Sequence, residues 1–254
     1  METTDLKNGL LCALDADTYR LVAPHLSHRP FDRGEVFYQP GDLVDQVYFP
    51  HSGVLSLLSV LDDGSAVETS TVGRESGVGL LAGLTRIQAF SRIIGQSPGV
   101  VSSIRASRLR AVAAESSKLR DVLIRHCDAL LAHAQQSVAC NALHDVEERF
   151  SRWLLTCHDR ADGDELNVTQ EFLAAMLGVQ RTTVTQVAGL LQDAEVIRYQ
   201  RGRVTITDRA GLERRACECY RLVGLHAKAV LPETAEDGPC APLSVAEASG
   251  RGES

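Results

Sequence analysis

The chain has 254 residues, 44% of them apolar and 23% charged, with a formal net charge of -7. That length holds two modest domains, each with its own core, and the charge excludes a protein coated in positive potential. Any affinity for nucleic acid must come from a local patch, as in a specific binder.

Met1-Glu2-Thr3-Thr4-Asp5 is acidic and polar where a signal peptide would be basic and then apolar, and no apolar run is long enough to cross a bilayer. The expected location is the cytoplasm, with no membrane partner, and seven cysteines without repeated spacing suit free thiols there. Leu6 to Leu26 carries a weak helical pattern through Leu10, Leu11, Leu14, Tyr19 and Val22, as one short helical cap would. From about residue 28 to about residue 106, short apolar runs are cut by turn signals such as Asp32-Arg33-Gly34, Gln39-Pro40-Gly41-Asp42 and Asp62-Asp63-Gly64. Turns that frequent imply a β-sandwich or small barrel. Leu109 to Leu143 then returns to helix, with Leu119, Leu123, Leu130, Ala134 and Ser137 recurring along it. A helix of some 30 residues would be about 45 Å long, more than one small domain needs, so it is expected to pack against its own copy. Its seam reads as poor in Leu and rich in small and polar residues, which favours a dimer helix supported by the barrel over a pure coiled coil.

Val146, Phe150, Trp153, Leu154 and Cys157 form an amphipathic stripe that begins a second domain, and Asp159 to Asp164 breaks it with a polar loop. Trp153 reads as core between that helix and the helical pair after the loop, with no functional role. Thr169 to Gln186, TQEFLAAMLGVQRTTVTQ, holds two short helical patterns around Gly178. Leu173, Ala174 and Leu177 line one face before the glycine, and Val179, Val184 and Val187 one face after it; Gly178 permits the tight turn between them. Gln180, Arg181, Thr182, Thr185 and Gln186 are left pointing outward, and those side chains match the donor and acceptor patterns of base edges. Thr169 has the chemistry of an N-cap, placing free amides near a phosphate, and Gln170 and Thr183 sit beside it as backbone contacts. Val196 to Tyr199 and Arg203 to Thr207 are strand-like runs around Gln200-Arg201-Gly202, a hairpin on which Arg198, Arg201 and Arg203 could meet phosphates. Asp208 to Leu222 reads as one more helix, and residues 227–254 as a disordered tail.

A β-roll, a long helix and a winged helix in that order resemble the cyclic-AMP receptor protein / fumarate-nitrate reductase regulator (Crp/Fnr) family of bacterial transcription factors. The resemblance runs from about Leu10 to Leu222 and is most specific in Thr169-Gln170-Glu171, in Gly178 through Val184, and in Arg203-Val204-Thr205-Ile206. It implies an α+β fold in four parts. Residues 1–108 would form a β-roll sensor, a double-stranded β-helix or jelly roll like cyclic-nucleotide-binding domains. Residues 109–144 would be the dimerisation helix, and 145–226 the winged helix-turn-helix domain. It implies that Arg181, Thr182 and Gln186 contact bases and that Thr169 meets the DNA backbone. It implies as partners a second copy of the chain, double-stranded DNA carrying an inverted repeat, and RNA polymerase.

On the effector side the resemblance is partial. Gly73-Arg74-Glu75-Ser76-Gly77-Val78-Gly79 resembles the start of the family's phosphate-binding stretch, with Glu75, Ser76 and Gly77 as candidate effector residues, but Ala89-Phe90 replaces the Arg-Ser that ends it. A buried phosphate without a cation is costly, which argues against a cyclic nucleotide; Arg86 and Arg92 are the nearby cations that could substitute. The iron-sulfur branch of the family uses an N-terminal cysteine cluster, and this chain has Cys12 alone before Cys127. Haem stays open through His25, His28 or His51, since one axial ligand can be enough. Cys140 and His144 lie four residues apart on one helical face, but two ligands do not make a zinc site, and no metal or cofactor is expected. The alternative from another class is a cupin-like β-barrel enzyme with an accessory helical domain. Such enzymes need clustered histidines and an acid, and 28–106 offers only His28 and His51, with no nucleophile, base and orienter set. A regulator of the same family that needs no ligand is the third reading.

Overall fold

The computed structural model describes residues 8–231. The amino-terminal segment is two short helices, α1 (Gly9–Cys12) and α2 (Ala16–Val22), followed by a turn of 3-10 helix at Ala23–His25. The single expected helix divides because Asp15 accepts the amides of Asp17 and Thr18 and so starts a new helix. Asn8, fully buried, caps α1 and also donates its amide to the carbonyls of Pro50 and Ser76, tying this cap to the roll.

Seven strands come next: β1 (Ser27–Phe31), β2 (Val36–Tyr38), β3 (Gln46–Pro50), β4 (Val54–Val60), β5 (Ala66–Val72), β6 (Arg92–Ser97) and β7 (Gly99–Arg105). They form two antiparallel sheets, ordered β1-β7-β3 and β2-β6-β4-β5, as the turn spacing implied. Phe31, Phe49, Leu55, Val72, Val101 and Ile104 fill the space between them. In β4 and β5 Leu55, Leu57 and Val72 face inward, and the outward face of the same sheet carries Ser56, Leu58, Glu68 and Thr71, all buried because another part of the chain covers them.

The long helix is in two pieces, α3 (Ala106–Glu115) and α4 (Ser117–Leu143). Ser116 is extended and its hydroxyl accepts the amide of Leu119, so the chain stops one helix and caps the next at that residue. At 27 residues α4 is still about 40 Å long. Leu119 and Leu123, read from the sequence as part of a dimer seam, are buried in the core of the roll instead. The large exposed apolar residues of α4 are Ile124, Leu131 and Val138, at seven-residue steps, with Leu143 beyond them. The free seam is therefore apolar, and it carries a heptad spacing that the sequence pattern had not revealed.

At His144 the backbone is extended, and α5 (Val146–His158) restarts at a capping box formed by Asp145 and Glu148. β8 (Glu165–Asn167), α6 (Gln170–Leu177), α7 (Arg181–Asp193), β9 (Ile197–Gln200) and β10 (Arg203–Ile206) complete a winged unit. Its three-stranded sheet has the order β8-β10-β9. The helix expected from Asp208 to Leu222 is broken into α8 (Arg209–Arg215) and α9 (Cys219–Val230). α9 runs past Ala227, so the start of the expected tail is helical; its remainder lies outside the described residues. No helix among the described residues is long and apolar enough to cross a membrane.

Candidate nucleic-acid interface

α6 and α7 are placed by a core of Phe150, Leu154, Leu173, Leu177, Val184, Val187, Leu191 and Val204, all buried. Met176, which the sequence pattern passed over, is buried with them. Thr169 caps α6, its hydroxyl accepting the amide of Phe172 at 3.2 Å. Gly178 ends the helix at φ +63, and its amide and that of Val179 return to the carbonyls of Ala175 and Ala174. A side chain at that φ would be strained, so the turn depends on glycine. From α5, Arg149 donates to the carbonyl of Leu177, which places a cation on the carboxyl end of α6.

With that face fixed, Arg181, Thr182, Thr185 and Gln186 stand exposed on α7, as the helical period requires, and Gln180 is exposed as its N-cap. Thr169, Gln170 and Thr183 are half-buried around the same end, and Arg201 and Arg203 are exposed on the wing. The wing turn has both central residues at positive φ, Arg201 at 49 and Gly202 at 78, which matches the twist of a two-residue hairpin. Arg203 also reaches Glu165 on β8 at 3.3 Å. Two details were not legible beforehand. Arg181 is held by acceptors of the preceding helix, its Nη1 2.5 Å from Glu171 and its Nε donating to Gln170 at 3.0 Å. Thr185 turns its hydroxyl back to the carbonyl of Arg181, leaving its methyl as the group that faces out.

The winged unit is docked on the roll. α5 and α6 cover the outer face of the four-stranded sheet, where Leu58, Ala66 and Ile94 join the core of the winged unit. Trp153 does pack edge-on against Phe172 of α6, but its ring N–H donates to Glu68 of β5 at 2.7 Å, so it also joins the two domains. Arg160 donates to Glu75 and to Thr71, Gln96 to the thiol of Cys157, and Arg74 pairs with Asp162. Arg33 of the roll lies over the ring of Phe172.

This docking changes the reading of the effector residues. Glu75 is met by Arg160, from the loop after α5, and lines a cleft of about 790 Å³ between the roll and α9 with Arg74 and Arg152. Ser76 is buried and shares its hydroxyl with His126 of α4 at 2.9 Å. Gly77 packs so close to β3 that a Cβ would fall 2.7 Å from the Tyr48 carbonyl, which makes its role one of packing. Arg86 and Arg92 do not join the group: Arg86 is exposed on the loop before β6, and Arg92 donates to Gln39. Ala89, in the position of the missing cation, is half-buried, and Phe90 beside it is exposed. His28 and His51 meet each other across Ser102, whose hydroxyl lies 2.7 Å from His28 Nδ1 and also bonds His51, while His25 is exposed. Burial pushes His51 down to about 4, so it stays neutral, and no acid gathers there as a cupin-like metal set would need among the described residues.

A model of the Crp-like helix-turn-helix domain matches residues 148–215, and one of the cyclic nucleotide-binding domain matches residues 28–116. The chain belongs to the Crp/Fnr family of transcription regulators. It is 24% identical over 185 residues to the global nitrogen regulator of Synechococcus elongatus, covering 69% of this chain and 83% of the relative. It is 26% identical over 187 residues to the transcriptional activator protein Anr of Pseudomonas protegens, covering 71% and 76%. Among solved structures, FixK2 from Bradyrhizobium japonicum superposes with a TM-score of 0.66 at 16% identity, covering 76% of this chain and 98% of that one. A CRP-family regulator from Thermus thermophilus gives 0.63 at 21% identity, covering 82% and 100%. The Crp/Fnr fold thus spans the roll, the long helix and the winged unit described above.

Proposed function

We propose that this regulator acts in the cytoplasm as a homodimer that reads an inverted-repeat operator and presents itself there to RNA polymerase. The observation that carries the reading is the outward row of the N-cap Gln180 and of Arg181, Thr182, Thr185 and Gln186 on α7, exposed while the opposite side of the same helix is buried. Gln and Arg pair with adenine and guanine edges, and the outward methyl of Thr185 suits a thymine methyl. The capped start of α6 at Thr169, with Gln170 and Thr183, would meet phosphates, and the wing would do the same through Arg201 and Arg203. The stripe Ile124, Leu131 and Val138 supports pairing of two α4 helices, because three exposed branched apolar side chains at heptad spacing are stabilised by burial against a copy. Two reading helices related by that axis would enter successive major grooves, with half-sites about 34–36 Å apart.

Selection of bound duplexes from a random pool tests dimer, spacing and readers together. The expected product is an inverted repeat with half-sites about one helical turn apart; a direct repeat, a single half-site or no enrichment would overturn the reading. Changing Arg201 and Arg203 to Ala should weaken cognate and random DNA alike. It should flatten the slope of log K against log salt by about 1 for each phosphate that the wing no longer meets. A salt slope equal to wild type would take the wing off the phosphates.

Cyclic AMP is not the effector in this reading. Support comes from Glu75, whose carboxylate is already engaged by Arg160, and from Ala89-Phe90, which bring no cation to a phosphate. Thermal unfolding with and without excess cyclic AMP should coincide; a rise of several degrees would reverse this part of the reading.

A further inference from the structure

Cys140 lies in the last turn of α4, His144 is the residue that ends that helix, Cys217 sits between α8 and α9, and Cys219 is the first residue of α9. Their ligand atoms all fall within 4.8 Å of one another, and the three cysteines are buried. Cys140 Sγ is 3.5 Å from Cys217 Sγ, and Cys219 Sγ is 3.5 Å from His144 Nδ1. Around one tetrahedral zinc ion, with Zn–S near 2.3 Å and Zn–N near 2.0–2.1 Å, sulfurs stand about 3.8 Å apart and a sulfur and a nitrogen about 3.5 Å apart. The spacing is that of a single ion. We propose that Cys140, His144, Cys217 and Cys219 bind one zinc ion in a closed tetrahedral set.

The surroundings carry the features that orient such ligands. His144 turns Nδ1 toward the thiols and places Nε2 3.2 Å from the Glu218 carboxylate, which fixes the tautomer in which Nδ1 is free to ligate. Gln136 donates its side-chain amide to Cys219 Sγ at 3.0 Å, a bond that stabilises a thiolate. Arg149 and Arg152 interact with Cys140, and they offset the single negative charge that three thiolates leave around a divalent ion. Other uses of the four residues fit less well. A disulfide needs sulfurs at about 2.05 Å, and these cysteines are free. An iron-sulfur cubane must fit four irons and four sulfides between its ligands, and donors this close enclose one ion. Three thiolates and an imidazole in a tetrahedron select zinc among the common divalent metals.

The site also has a mechanical role. His144 ends α4 and Asp145 begins α5, so donors on α4 and at its end are joined to donors on the far side of the winged unit. A zinc ion there clamps α9 to α4 across the joint between the dimer helix and the reading domain. It fixes the angle at which α7 is presented. The ion does not depend on the DNA reading; a chain that selected no operator would still bind it.

The test uses the full chain purified under reducing conditions. Elemental analysis should find about one zinc per chain, and replacement by cobalt should give the sulfur-to-metal charge-transfer band and intense ligand-field bands of a tetrahedral thiolate site. Cys217→Ser and Cys219→Ser should lose most of the metal, Cys127→Ser should keep it, and His144→Cys should keep it with a stronger charge-transfer band. If the serine variants fail to fold, the wild-type chain still decides. Alkylation mapped by mass spectrometry should be much slower at Cys140, Cys217 and Cys219 with zinc than after chelation, while Cys127 is unchanged. No zinc after reconstitution, a cobalt spectrum without thiolate character, or equal alkylation with and without zinc overturns the proposal.

Discussion

Glu68→Gln should raise the unfolding midpoint at pH 8 by roughly 5–10 °C and leave it nearly unmoved at pH 4. Glu68 is buried on the outer face of the four-stranded sheet, where it accepts from Ser56 Oγ at 2.6 Å and from Trp153 Nε1 at 2.7 Å. Burial pushes its carboxyl up to about 7, against the pull of those two donors and of Arg160 and Arg152 behind them. An acid whose folded value lies above its unfolded one holds its proton longer in the native state. Its favourable contribution is therefore complete below the unfolded value, near 4.5, and is lost as pH rises through about 7. A difference of that size corresponds to about 3 kcal/mol at pH 8, and glutamine, which never ionises, does not lose it. Unfolding of both proteins across that range measures the effect. Parallel pH profiles for the variant and the wild type would show that Glu68 is not the titrating group.

Arg181→Ala should cost about 1–3 kcal/mol at each half-site, so about 2–6 kcal/mol on a symmetric operator, and should relax base preference at one position per half. In the free protein Arg181 leans on Glu171 and Gln170, but both ion-pair partners are about two-thirds exposed, so turning the guanidinium toward a base gives up little. Gel shifts on cognate and random duplexes check this. Equal loss on both would make Arg181 a phosphate contact and leave the reading to its neighbours.

The reading unit was legible in the sequence because everything that builds it is local. Leu173, Leu177, Val184 and Val187 mark two helix faces, Gly178 marks the turn, and the outward residues are set by the helical period. The β texture of residues 28–106 announced itself by its turns in the same way, though the turn at Pro98 that parts β6 from β7 was not among them. What failed to show was non-local. β8 has one apolar residue, Leu166, between Glu165 and Asn167, and it is a strand because β10 lies beside it. Leu119 and Leu123 carry the period of a helix seam, but periodicity cannot say which partner a face meets, and the roll took them while Ile124, Leu131 and Val138 stayed outside. Ser116 was a visible capping residue that the length of the surrounding pattern hid. Cys217 and Cys219 stand more than seventy residues from Cys140, so only the packing of α9 beside α4 could bring them together. Glu68 and Trp153, 85 positions apart, meet for the same reason.

The contact between the roll and the winged unit joins a buried apolar patch, Leu58, Ala66 and Ile94 against the core of the winged unit, to a set of hydrogen bonds and ion pairs: Trp153 to Glu68, Gln96 to Cys157, Arg160 to Glu75 and Thr71, and Arg74 to Asp162. The polar groups find replacements in water when they part, whereas the apolar patch does not. Parting the two bodies would bare that patch as well as the polar pairs, so the closed arrangement is favoured, and a ligand that opens the molecule must prefer the open arrangement by more than that exposure costs.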